Sequence, residues 1–209
     1  MVFSSVPFLY VFLPVVLLGY FLVPRRFKNV VLLAASLFFY YYGERAYTSL
    51  LLISSLSDYL HSLYIEKHRG TQRAKAALIS SIAVNLALLG FFKYADFLIS
   101  TVNSLLRTSI PLLKVPLPIG ISFFTFQTMS YTIDVYRGRV HAQKNLVTMG
   151  TFVCLFPQLV AGPIVRYSDI ALELEQRSTT LDDVSAGARR FVFGLAKKVL
   201  VANAMGELC

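Results

Sequence analysis

Long apolar runs, separated by short polar turns, set the pattern of this chain. Their length favours helices over strands, so we predict an all-α fold. A membrane span needs about 20 residues, and the first, third, fourth and sixth runs approach that length. The second run is short, so it either has its ends shielded by a bundle or re-enters without crossing. The runs cover residues 7–23, 30–42, 47–63, 76–92, 115–133, 146–165 and, more weakly, 191–205.

Composition places the chain among membrane proteins. Hydrophobic residues make up 56% of the 209 residues, charged residues 15%, and the mean hydropathy is +0.63, which is too apolar for an ordinary soluble domain. We predict a single domain over residues 1–209, a multi-spanning transmembrane helical bundle with broken or re-entrant segments. The net charge of +9 does not indicate nucleic acid, because the basic residues form neither a groove nor an arm and accompany no reading motif.

Basic residues instead cluster in alternate turns between the runs. Arg25, Arg26 and Lys28 follow the first run, and a second basic cluster follows the third, while the turn between them offers only Glu44 and Arg45. Under the positive-inside rule the two basic turns are cytoplasmic, which predicts that the N-terminus lies outside. The second cluster consists of Lys67, Arg69, Arg73 and Lys75.

The stretch 116–138 combines apolar residues with helix breakers and an ordered series of polar side chains. If the chain is helical from Phe123 onward, one face carries Gln127, Ser130, Tyr131 and Asp134. Unsatisfied polar groups are costly in hydrocarbon, so this face must look toward other helices or a water-filled cavity. Hydrogen bonding between helices and the lining of a substrate path both fit the pattern.

Two prolines interrupt the sixth run, which would otherwise form a continuous helix. Pro157 and Pro163 each remove a backbone donor and clash with the preceding turn, so we predict a broken helix. Broken membrane helices lie buried in protein or line a cavity. Arg166, just after the break, can pair with an anionic group such as a ligand phosphate or with Asp134, and we expect the structural pair with Asp134.

The sequence offers few candidate catalytic residues. Asp58 and His61 stand three residues apart in the third run, yet both lie toward its charged end, which favours hydrated interfacial positions over a catalytic pair. Lys93 ends an apolar run, where a snorkelling position at the headgroups is favoured over a site role. No metal-ligand spacing occurs in the sequence, and Cys154 and Cys209 are expected to be free thiols.

The stretch 168–189 is the most polar part of the chain. Thr180, followed by Asp182 and Asp183, predicts a helix start with acids in its first turn. The helix that follows has an apolar and a basic face, so it is either an interfacial helix or the approach to another span.

Blocks in a fixed order along nearly the whole chain resemble the membrane-bound O-acyltransferase family, in the branch that includes alginate O-acetyltransferases. They include Gly-Phe-Phe-Lys-Tyr-Ala at 90–95, Leu-Pro-Ile-Gly-Ile-Ser-Phe at 117–123 and Phe-Pro-Gln-Leu-Val-Ala-Gly-Pro at 156–163. The further blocks are 1–5, 12–14, 130–138 and 190–199.

This resemblance implies an O-acetyltransferase of the bacterial inner membrane that passes acetyl from acetyl-CoA toward an extracytoplasmic polysaccharide such as alginate. It implies no bound cofactor. The implied partners are membrane lipid, the acyl donor, the acceptor polysaccharide and a periplasmic or extracellular acetyltransferase. The family's catalytic histidine belongs to a later region that nothing here matches. We therefore expect an N-terminal part of a longer enzyme, inactive alone and without a catalytic residue of its own.

The resemblance also implies which residues shape and line the substrate tunnel. They are Pro118, Gly120, Ser122, Phe123, Gln127, Tyr131, Asp134, Arg137, Pro157, Gly162, Pro163 and Arg166. Two other functions stay open at this point. One is D-alanyl transfer to teichoic acid within the same family, and the other is a membrane transporter, since broken helices and a polar stripe also mark substrate sites there. No inverted repeat of hydropathy supports the transporter.

Overall fold

The computed structural model describes residues 3–159 and 162–208, and within them every regular element is helical. The predicted all-α class is confirmed. Val160 and Ala161 of the 156–166 block, and Cys209, lie outside the described residues. The helices are α1 (Leu13–Leu22), α2 (Lys28–Gly43), α3 (Thr48–Lys67), α4 (Gln72–Leu89), α5 (Ala95–Leu106), α6 (Ile121–Tyr136), α7 (Leu146–Cys154), α8 (Phe156–Leu159), α9 (Tyr167–Gln176), α10 (Leu181–Ala196) and α11 (Asn203–Leu208).

A π-helical turn, Gly90–Tyr94, joins α4 to α5. This turn accommodates an extra residue without ending the helix, so the helix runs on past the end predicted near residue 92. Among the described helices, the continuous one from Gln72–Leu106 is long and apolar enough to cross a membrane, and shorter apolar helices cover Phe8–Leu22 and Leu146–Leu159. The multi-spanning bundle therefore stays a prediction.

The helices pack around α3 and α6. Helix α3 contacts α4, α6 and α7, while α2 lies on α7 and α4 on α6. Large side chains such as Leu51, Ile65, Phe124 and Phe152 are buried between them. A second cluster, at the start of α1, is almost wholly aromatic and consists of Phe8, Phe12, Val16, Phe39 and Phe156.

Three turns meet at one end of the bundle, which we call the basic end. Arg69 of the α3–α4 turn donates to the Val135 carbonyl at the end of α6 (2.9 Å). Glu66 accepts from His141 in the α6–α7 turn (2.8 Å between Oε1 and Nδ1). Arg177 of the α9–α10 turn donates to the Asn29 side chain at the start of α2. Both basic clusters of the sequence therefore lie at the same end.

The residues 146–166 leave the basic end and return to it. One side chain, that of Gln143, bonds residues next to both ends of this segment. Its Oε1 accepts from the Asn145 N–H before α7 (2.8 Å), and its Nε2 donates to Tyr167 at the start of α9 (2.9 Å). The helix breaks at Leu155, whose ψ is 113°. Pro157 is then tolerated in the first turn of α8, where its missing N–H has no intrahelical acceptor. The predicted broken helix is confirmed, with the break two residues earlier than the proline.

The predicted helix start at Thr180 is also confirmed. Thr180 and Asp183 form a capping box, with bonds of 3.2 Å from the Asp183 N–H to the Thr180 hydroxyl and 2.9 Å from the Thr180 N–H to the carboxylate. The hydroxyl and amide of Thr180 stabilise the charged form, so they hold the pKa of Asp183 below its usual range.

Candidate functional site

Two of the family-like blocks meet at Gly120. This residue has φ +79°, and a Cβ placed on it would lie 2.7 Å from the Leu159 carbonyl oxygen at the end of α8. Gly162 is equally confined, since its Cβ would lie 2.7 Å from the Cα of Gln158. Only glycine fits such a close approach of two backbones. We name the contact between residues 116–122 and α8 the Gly120 junction.

Side chains from α2 and the α2–α3 turn satisfy the irregular backbone of the junction. The hydroxyl of Tyr40 donates to the Ile119 carbonyl (2.9 Å), and that of Tyr47 donates to the Pro116 carbonyl (3.0 Å). Ser36 accepts from the Phe156 N–H at the start of α8 (3.2 Å). Non-helical backbone survives in an apolar setting only when its polar groups are bonded in this way, so these three side chains hold the junction in shape.

Two unpaired polar groups lie close in sequence to the residues of the Gly120 junction. Thr125 Oγ1 in α6 and Gln158 Nε2 in α8 are buried and form no hydrogen bond within the described residues. Such groups are rare and mark places where water or a polar ligand binds. Lys93, in the π turn, brings its ammonium to 3.4 Å from Ser122 Oγ, so the third block, 90–95, reaches the same place. Sequence reasoning missed Tyr40, Thr125 and Gln158, because nothing local marks them.

The polar face of α6 points into protein. Gln127 is buried and donates to the Phe152 carbonyl of α7 (2.8 Å). Tyr131 is buried as well, and its hydroxyl donates to Ser62 of α3 (3.3 Å) and accepts from the Gln143 N–H (2.8 Å). The prediction that this face avoids lipid agrees with its burial. Its contacts are hydrogen bonds between elements, and a lining role stays a prediction.

Asp134 has a different partner from the one predicted. Its carboxylate lies 3.5 Å from Nη1 of Arg139, which the chain brings back after reversing at Gly138. Arg166 is exposed, and its side chain forms no ion pair or hydrogen bond in the described part of the chain. The expected pair of Arg166 with Asp134 is therefore wrong, because a nearer arginine takes the site.

The remaining predicted site residues differ in exposure. Pro118 is buried, whereas Ser122, Phe123 and Gly162 are half-buried and Arg137, Pro157 and Pro163 are exposed. Thus the twelve predicted residues do not form one cluster. They fall into the Gly120 junction, the buried face of α6 and the surface at the basic end.

Tyr167 and Gln143 connect the α6 face to α9. Gln143 Nε2 also donates to Glu175 (2.7 Å), and the Tyr131 and Tyr167 rings meet edge to face with centroids 5.0 Å apart. Burial raises the pKa of the Tyr167 hydroxyl, the bond from Gln143 lowers it, and the Glu175 carboxylate raises it further. This network fixes the returning end of the 146–166 segment.

Asp58 and His61 have separate partners. The buried Asp58 accepts from Ser81 Oγ (2.7 Å) and from Asn85 Nδ2 (2.9 Å), both on α4. His61 instead bonds the Ser57 carbonyl through Nδ1 (2.7 Å) and Ser80 Oγ through Nε2 (3.3 Å). The two side chains therefore tie α3 to α4 separately. The hydrated interfacial position predicted for Asp58 is wrong, because its carboxylate is fully buried against α4.

Metal binding has no support in the described ranges. No group of three or more His, Cys, Asp or Glu side chains gathers there in a way that could hold an ion. Cys154 is buried and free, as predicted.

Comparison with known proteins covers the whole chain. It is 38% identical, over 100% of its length, to a probable alginate O-acetylase AlgI of Azotobacter vinelandii, and 40% identical, over 98%, to one of Pseudomonas putida. The chain is related to the alginate O-acetylases. It is also 31% identical, over 97% of its length, to a peptidoglycan O-acetyltransferase of Helicobacter pylori. The resemblance read from the sequence blocks is thereby confirmed.

The alginate O-acetylase relationship involves only part of each relative. The chain spans 43% of the length of the Azotobacter and Pseudomonas putida proteins and 45% of the Helicobacter protein, and it corresponds to their N-terminal portion. No family model matches the chain, and no solved structure matches it significantly.

Proposed function

We propose that this chain forms part of a multi-spanning enzyme of the bacterial inner membrane, which transfers acetyl from acetyl-CoA toward an extracytoplasmic polysaccharide such as alginate. The observation that carries this proposal is the similarity, over the entire chain, to proteins named as O-acetylases. Acetyl-CoA acts as the donor substrate in this scheme and no resident cofactor takes part. A separate extracytoplasmic acetyltransferase completes delivery to the polymer.

In this proposal the basic end faces the cytoplasm. The structure supports it by gathering the basic turns at one end of the bundle, which the positive-inside rule assigns to the cytoplasmic side. Helix α1 runs toward that end, because its last residues precede the basic turn at Arg25. The N-terminus then begins outside, and the Gly120 junction lies at the extracytoplasmic side.

The junction has the electrostatics expected for an acidic polymer. Lys93 lies beside Ser122 in the first turn of α6, where the positive end of the helix dipole adds to its charge. A polyuronate such as alginate carries carboxylates that this potential attracts. We assign Gly120, Gly162 and the α6 face the role of shaping the path between the two ends, and none of them the role of nucleophile or base.

The histidines of this chain do not supply the base in our proposal. His61 bonds Ser57 and Ser80, His68 bonds the Tyr64 carbonyl, and His141 bonds Glu66 at the basic end. None of the three reaches the junction or the polar face of α6 by a hydrogen bond among the described residues. The general base is assigned by family analogy to a histidine outside the residues of this chain.

Acetyl transfer by the complete protein tests the proposal. Membranes that contain it are given acetyl-CoA labelled in the acetyl group and the acidic polysaccharide, and incorporated label is counted. Gln127→Leu and Asp134→Ala should lower incorporation, whereas Thr132→Val should not, because among the described residues the Thr132 hydroxyl bonds only a carbonyl of its own helix (2.9 Å to Thr128). Full incorporation by well-expressed Gln127→Leu and Asp134→Ala proteins would reject the lining role.

The acceptor has a second candidate. The Helicobacter relative is named as a peptidoglycan O-acetyltransferase, so peptidoglycan is an alternative polymer for this chain. Supplying either polymer in the same labelled assay separates the two. Transfer of labelled D-alanine from its carrier protein, with no transfer of labelled acetyl to either polymer, would reject both.

A further inference from the structure

A groove lies between α3 and α4, near the basic end. It has a volume of about 500 Å³ and is lined by Leu60, His61, Tyr64, Arg73, Ala76 and Ser80, together with Ala77. We call it the α3–α4 groove. Small side chains on α4 open it, since Ala76, Ala77 and Ser80 leave the neighbouring turns of α3 uncovered. None of these residues belongs to the Gly120 junction or to the polar face of α6.

The groove has an unneutralised cation at its cytoplasmic end. Arg73 stands in the first turn of α4 and forms no hydrogen bond or ion pair within the described ranges. Glu66, in the last turn of α3, is already bonded to His141 and to the Ala142 N–H (3.2 Å). The hydroxyl of Tyr64, across the groove, has no bonded partner among the described residues either. A cation and a phenol hydroxyl together suit a phosphate group.

The polarity of the groove changes along α4. Arg73 lies at its cytoplasmic end, and Ala76 and Ala77 follow one turn further toward the centre of the bundle, facing Leu60 of α3. His61 and Ser80 bond each other across its floor (3.3 Å), so they present carbon rather than free polar atoms. A ligand that fits must therefore carry an anionic head and an apolar tail.

We propose that the α3–α4 groove binds an anionic phospholipid of the cytoplasmic leaflet, with its phosphate at Arg73 and one acyl chain along Ala76 and Leu60. Basic pockets between membrane helices on the cytoplasmic side bind anionic headgroups in this way. Lys67 and Lys75 add positive charge around the same turn. The inference depends on the proposed orientation of the basic end, but not on acetyl transfer.

Lipid binding to the purified full chain tests this inference. Phosphatidylglycerol and phosphatidylcholine with the same acyl chains are titrated against the detergent-solubilised protein, and bound lipid is counted by native mass spectrometry. We expect preference for phosphatidylglycerol. Arg73→Gln should weaken its binding about fivefold, the effect of one basic contact. Lys75→Gln removes the same charge two residues away without lining the groove, and should change binding less than twofold.

Two further variants separate charge from shape. Arg73→Lys keeps the charge and should retain the preference, which also shows that loss in Arg73→Gln is not misfolding. Ala76→Phe fills the groove and should weaken both lipids. Equal loss in Arg73→Gln and Lys75→Gln would overturn the inference, since it would mean general attraction to a basic surface. Competition by glycerol phosphate as strong as by the lipid would overturn it as well, because the site would then take a free phosphate and no acyl chain.

Discussion

Replacing Gly120 by alanine tests whether the junction is as tight as the structure shows. Two costs add at this position. An L-residue in the left-handed region costs about 1–2 kcal/mol, and the new Cβ, 2.7 Å from the Leu159 oxygen, forces a backbone shift of the kind that costs about 1–3 kcal/mol in a packed interior. The total is roughly 2–5 kcal/mol. Gly70→Ala is the matched control, because Gly70 has φ +82° but a Cβ added to it would have no neighbour within 4 Å. Its substitution therefore costs only the about 1–2 kcal/mol of the left-handed backbone.

Thermal unfolding in detergent measures the difference. The chain has no tryptophan, but the buried Cys154 thiol becomes reactive to a fluorogenic maleimide on unfolding, in a Cys209→Ser background. At about 2–4 °C per kcal/mol for a domain of this size, Gly70→Ala should lower Tm by about 2–8 °C and Gly120→Ala by clearly more. Equal shifts in the two variants would refute the close contact of residues 116–122 with α8.

Three other predictions follow from the contacts described. Asn85→Leu leaves the buried Asp58 carboxyl with Ser81 as its remaining described partner, and should lower the free energy of unfolding by about 2 kcal/mol in the same thiol assay. Ser100→Ala removes an exposed hydroxyl that is bonded within its own helix, and should lower it little. Similar losses in the two variants would contradict a stabilising role for the hydrogen bonds to Asp58. In spheroplasts of the Cys209→Ser background, an impermeant maleimide should label Arg107→Cys but not Lys67→Cys, and the reverse result would invert the proposed orientation. The lowered pKa of Asp183 means that the capping box stabilises α10 above the unfolded pKa of an aspartate and loses this effect as pH falls through the folded value. The Thr180 amide resonance should therefore titrate at a pH below that of an exposed aspartate, and an unshifted titration would show that the box is not formed in solution.

Local patterns predicted the helices well, because each long apolar run needs its backbone bonds satisfied internally. The start of α10 followed from Thr180 and Asp183 alone, and the break in the sixth run followed from Pro157. The continuation of α4 into α5 was missed because Lys93 looked like the end of a run. In the structure a π turn carries the helix past Lys93, and Asp96 accepts from the Leu113 N–H (2.8 Å).

Contacts between distant parts of the chain could not be predicted from the sequence. Gly120 was a candidate because of its block, but its approach to Leu159 depends on how far the 146–166 segment reaches before it returns. The partner of Asp134 was misassigned for a related reason. Arg139 follows Asp134 by five residues, and the chain reversal at Gly138, with φ +73°, brings its side chain back to the carboxylate.

The out-and-back course of residues 146–166 determines the sidedness of everything that follows. A segment that leaves and re-enters at one end adds no crossing, so α9 begins at the end of the bundle where α6 ended. Within the proposed orientation, lengthening, shortening or replacing this segment would leave the compartment of every later residue unchanged. The length and sequence of such a segment can therefore diverge without inverting the rest of the protein.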